Sequence, residues 1–152
     1  MAVDYFLKID GIAGESTDDK HKEWIDVLSF SWGGSSRARP SQNDFQIVKL
    51  VDKASPLLVT ASCKGTSPGQ AMFVARKAGG GKEQLEYLKI KFSDILISSF
   101  HTAGSTSDVP METLSLNFTK LEFLVAPQTE KGTLGDFVPG VCEPKRGGHD
   151  GS

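Results

Sequence analysis

A chain of 152 residues with 38% hydrophobic and 24% charged side chains is long enough for one domain with a full core, and too apolar to remain disordered. Lys and Arg number 17 against 19 Asp and Glu, a formal charge of −2, which excludes the basic excess that nucleic-acid and anionic-membrane binders use on phosphates. No stretch approaches the roughly 20 apolar residues of a membrane helix, and MAVDYFLKIDG has Asp4 where a secretory signal would carry basic charge. The chain is therefore expected to be made in the cytoplasm without a signal peptide.

Alternation of period two, the mark of half-buried strands, runs through most of the sequence. Val3 to Ile9 sets Tyr5, Leu7 and Ile9 against Phe6 and Lys8. A polar loop, Glu15 to Lys22, leads to a strand over Trp24 to Trp32, where Leu28, Phe30 and Trp32 form an oily face and Ser29 and Ser31 a small hydroxyl one. Gly33 to Asp44 reads as a loop of glycine, serine and proline that carries Arg37 and Arg39, and Phe45 to Val51 resumes a strand. Ser55 to Gly65 breaks the period. Ser55 at the N-cap, Pro56 at N1 and Gly65 as a left-handed C-cap predict one short helix that buries Leu57, Leu58 and Ala61.

Gln70 to Ala78 and Gln84 to Phe92 read as strands joined by the glycine-rich turn Gly79 to Glu83. The apolar positions then change phase twice, across Ser93-Asp94 and between Phe118 and Leu121. Such changes predict β-bulges, which bend strands and let a sheet curl closed. The pattern therefore predicts a mainly β fold, a barrel with one helix. From Ala126 the alternation fades into Pro, Gly and charge. The expected organisation is a barrel domain over 1–128 and a loosely ordered tail over 129–152.

Motifs for chemistry fail on context. Gly65 to Gly69 (GTSPG) matches G-x-S-x-G, but the elbow needs a strand before its serine and a helix after it, and Pro68 has no N–H for an oxyanion hole. The GGGKE turn lacks the earlier glycine of a phosphate loop and has Glu83 where that loop needs Ser or Thr. His21, His101 and His149 are isolated and read as solvated, and Asp18, Asp19 and Glu122 read as surface charges. Cys63 and Cys142 match no metal spacing and read as free thiols. Neither catalysis, a metal nor a cofactor is expected.

Several segments together resemble the Hcp (hemolysin-coregulated protein) family of type VI secretion: MAVDYFLKIDGIAGES, IDVLSFSWG, VDKASP, ARKAGG, QLEYLKIKFSDILISSF and ETLSLNFTKLEFLVAPQ, in order over about the first 128 residues. The resemblance implies a two-sheet β-barrel with a flanking helix. It also implies hexameric rings that stack into a tube inside a contractile sheath, beneath a spike protein, and are secreted with effector proteins carried in the lumen. Ser29 and Ser31 would then line the bore, where a small polar wall suits passing cargo. Ser35, Ser36, Arg37 and Arg39 would belong to a ring-stacking loop. The end of the chain departs from the family, lacking its closing Trp-Asp strand. The competing reading is a lipocalin-like barrel with a small molecule inside, which the size of the inward side chains opposes.

Overall fold

The computed structural model describes residues 3–33, 44–78, 84–130 and 132–143. It holds strands β1 (Val3–Ile9), β2 (Ile25–Val27), β3 (Ser29–Ser31) and β4 (Phe45–Leu50), then helix α1 (Ser55–Lys64). Strands β5 (Gly69–Ala78), β6 (Gln84–Ser105), β7 (Asp108–Asn117), β8 (Lys120–Val125) and β9 (Val138–Cys142) follow. All the strand pairs are antiparallel, in the order β2-β1-β5-β6-β7-β4-β3, with β8 added to β6 and β9 to β8.

One strand, β6, belongs to both sheets (β2-β1-β5-β6-β8-β9 and β6-β7-β4-β3), and together with the Trp24 to Trp32 run it makes the barrel. The 22 residues of β6 pair with β5 and β8 in their first part and with β7 in their second. The handover falls at Asp94, which holds φ 48°, and the register slips where Gly69 and Ala71 face Ile95 and Phe92. Thr119 N–H donates to the Ser93 carbonyl at 3.0 Å, and Thr119 Oγ1 lies 3.2 Å from Asp94 Oδ2. The two phase changes expected from sequence therefore lie side by side at one corner. The expected single strand over Trp24 to Trp32 is interrupted at Leu28. Its first half pairs with β1 and its second with β4, so the two ends of the sheet path are consecutive pieces of chain. The circuit closes through that backbone, with no ladder between β2 and β3.

This partner switch corrects one expectation. Leu28 does not join the core: it is 51% exposed, and its N–H donates to the Val48 carbonyl at 2.8 Å. A residue at a crossing point cannot keep the inward phase of both flanking segments.

The interior is packed with rings. Phe45 lies 5.2 Å from Phe73 and 4.9 Å from Phe92, Phe92 lies 5.7 Å from Phe118, and Phe30 covers Phe73 at 4.7 Å. Leu7, Ile25, Ile47, Ile90, Ile95, Leu114 and Leu116 complete a fully buried shell. The space a carried small molecule would need is filled by side chains, so the carrier reading finds no support.

Helix α1 ends as expected, with Gly65 at φ 64° donating to the Ala61 and Ser62 carbonyls. Its start differs. Ala54 occupies the cap position and Ser55 the first helical one, where Ser55 Oγ accepts from Asp52 N–H at 3.0 Å. Leu58 is fully buried, whereas Leu57 is exposed. In the stretch expected to be loose, β9 pairs with β8 although no Trp-Asp pair is present. Val138 and Val141, on opposite faces, are both exposed and within β9 Cys142 alone packs against the core, so this edge strand carries little alternation to read.

Candidate interaction surface

Strand alternation on β3, β4, β7 and the second part of β6 gives this sheet two unlike faces. Inward point Phe30, Phe45, Ile47, Leu114 and Leu116. Outward, the register aligns Ser31 with Gln46, Gln46 with Ser115, and Ser115 with Ser99. The next row aligns Ser29, Val48, Thr113 and His101 in the same way. At about 4.8 Å between strands, each row spans roughly 14 Å. Neither row contains Lys, Arg, Asp or Glu. Ser29, Ser31, Gln46, Ser99 and His101 are exposed, whereas Ser115 is buried, its Oγ accepting from Ser99 Oγ at 2.9 Å. A carboxylate reaches the border, where Asp44 Oδ2 accepts from Ser98 Oγ at 2.9 Å. Beyond the second row the face turns apolar, with Leu50, Met111 and Ala103 in line.

Chemically this is a flat wall of hydroxyls, an amide and short apolar groups. It offers scattered hydrogen bonds and no strong field, so it can touch many surfaces without gripping one. Ser29 and Ser31 stand on it, as the alternation of their strand predicts. Gln46, Ser99, Thr113, Ser115 and His101 were missed. Their own alternation against buried neighbours could have marked them as outward, but only the register brings them into line with the serines. Ser35, Ser36, Arg37 and Arg39 lie outside the described residues, as do His149 and the Gly79 to Glu83 turn.

Elsewhere the charges are tightly organised, which corrects two expectations. His21 is 2% exposed rather than solvated. Its ring stacks on Phe6 at 4.4 Å, Nδ1 lies 2.7 Å from Asp18 Oδ2, and Nε2 lies 3.4 Å from Glu86 Oε2. Asp18 is no free surface charge, since Arg76 Nη2 lies 2.7 Å from its other oxygen. The hydrogen bond from Arg76, joined by that of His21, holds the Asp18 carboxyl well below the usual carboxylate range. Burial works against the Arg76 charge, but hydrogen bonds to Asp18 and Asp4 outweigh it and raise its pKa. His101 is exposed, as expected, and Cys63 and Cys142 are free thiols. Ser67 sits between α1 and β5, where its Oγ accepts from Gly69 N–H at 3.1 Å.

The class these features define is a filled antiparallel barrel that presents one broad, uncharged sheet face. Residues 6–124 match the family described as "Type VI secretion system effector, Hcp". The chain is 38% identical over 144 residues to "Protein hcp1" of Pseudomonas aeruginosa, covering 87% of this chain and 88% of that one. Among solved structures, Hcp1 from Salmonella typhimurium superposes with TM-score 0.80 at 36% identity, covering 94% of this chain and 95% of that one. A type VI secretion system effector from Yersinia pestis does so with TM-score 0.80 at 36% identity, over 92% and 99%. The chain belongs to the Hcp family. It is a tube and effector protein of type VI secretion, a secreted structural component.

Proposed function

We propose that six copies of this chain form a ring, that rings stack into the inner tube of the secretion system, and that the uncharged face is the wall of its bore. Two rows without a single charged side chain carry this reading. A face meant only for bulk solvent usually carries charge, whereas a conduit for folded cargo needs polar groups of low adhesion. Ser29 and Ser31 would contact effector proteins there. Ser35, Ser36, Arg37 and Arg39 would serve the stacking of rings, because guanidinium forks suit carboxylates on a facing ring.

The sheath would surround the tube and a spike protein would cap it. The chain would be made in the cytoplasm, and its role would be mechanical rather than catalytic. Light scattering tests the ring. A mass near six protomers at micromolar concentration is expected, and a clean monomer would overturn the assembly.

A further inference from the structure

Helix α1 is poorly anchored by apolar contact. Of its ten residues only Ser55 and Leu58 are buried, while Leu57 and Val59 are exposed. Helices shorter than about 12 residues do not hold together alone in water, and most draw their stability from an apolar face packed on the core. Leu58, with the partly buried Ala61 beside it, is a small face for such a helix.

A charge stands where that face would be. Lys49, on β4, is fully buried. Its ammonium lies 2.6 Å from Glu112 Oε2 on β7, 2.9 Å from Asp52 Oδ1, 3.0 Å from the Leu50 carbonyl and 3.3 Å from Ser55 Oγ. Three protons thus face four acceptors, two of them in the turn that starts the helix. Asp52 Oδ1 also accepts from Ala54 N–H at 3.0 Å, and Ser55 Oγ from Asp52 N–H at 3.0 Å. The first turn is built around the ammonium, with one further tie where Lys53 N–H donates to Glu15 at 2.6 Å.

We infer that Lys49 is the latch of α1: a buried cation, shared between the Glu112 carboxylate and the Asp52–Ser55 turn, seats the helix, which opens as a unit separate from the barrel once that cation is removed. The latch follows from the fold alone and stands or falls independently of the tube reading. Lys49 and Glu112 lie on the strands that carry Gln46, Val48, Thr113 and Ser115 of the two uncharged rows. Seating the helix and aligning the uncharged face are thus tasks of the same two strands.

Hydrogen exchange read by mass spectrometry on the full chain tests this. Lys49→Met alone leaves Glu112 buried without its partner, which can loosen the sheet by itself. The deciding variant is therefore Lys49→Met/Glu112→Leu, in which the fully buried orphan carboxylate is gone and Asp52, 12% exposed, keeps its bond from Ala54 N–H. Amides of residues 54–64 should exchange about tenfold faster or more, while β5 and β6 stay within about twofold of the parent, as separate opening units do. Parental protection of 54–64 in this variant would overturn the latch, and so would equal acceleration of helix and barrel. Should the double variant not fold, Ser55→Ala decides, since it removes one acceptor and leaves the ion pair. Acceleration of about threefold confined to 54–64 is then expected, and an unchanged or global response would overturn the inference.

Discussion

Neighbouring residues on β3 should respond oppositely to substitution. Phe30 is half-buried and meets Phe73 at 4.7 Å, Tyr5 at 5.2 Å and Phe45 at 5.8 Å. Phe30→Ala leaves a cavity among three rings and should cost about 3 kcal/mol, the low end for Phe to Ala because the ring is partly exposed. At about 2–4 °C per kcal/mol for a chain of this size, Tm should fall by about 6–12 °C. Ser31 is exposed and faces Gln46 across the ladder, so Ser31→Gln removes no packing and should move stability by less than about 0.5 kcal/mol. Its Tm shift should then stay within about 2 °C. In a ring, however, six new side chains would crowd one level of the bore. Melting and light scattering at one fixed protomer concentration, with effector co-purification, separate the two effects. Ser31→Gln should keep ring mass and Tm and lose effector. A Tm loss equal to that of Phe30→Ala would show that β3 is inside out. Unchanged effector recovery on an intact ring would remove the face from the bore.

Leu28→Ser should cost about 1 kcal/mol, since full burial of a leucine stabilises by about 1.5–3 kcal/mol and Leu28 is 51% exposed. Leu114→Ala, at a fully buried position, should cost about 2–5 kcal/mol; chemical denaturation ranks the pair. Because Asp18 is held below its ordinary pKa, its contribution should be complete above about pH 4 and fade as pH falls further. The Tm difference between the parent and Arg76→Met should therefore shrink from neutral pH towards acid, and a difference that grew would contradict the assigned ion pair. Deleting Ser35 to Pro40 should leave rings intact but shorten or abolish tubes in electron micrographs, and normal tubes would rule the loop out of stacking.

What local pattern could carry, it carried. Strand positions, the stop at Gly65 and the two phase changes near Asp94 and Thr119 follow from side-chain period and backbone freedom, which neighbouring residues set by themselves. Ser29 and Ser31 were legible as an outward pair for the same reason. Burial of charge was not legible, because its compensation is remote: Glu112 lies 63 residues from Lys49, and Glu86 reaches His21 only through the fold. The exposure of Leu28 depended on which strand each half of its run would pair with. β9 left no trace, since an edge strand exposed over its first four residues needs no alternation. The rows joining Ser31 to Ser99 and Ser29 to His101 depended on register, which sequence period leaves open until four strands from distant parts of the chain are laid side by side.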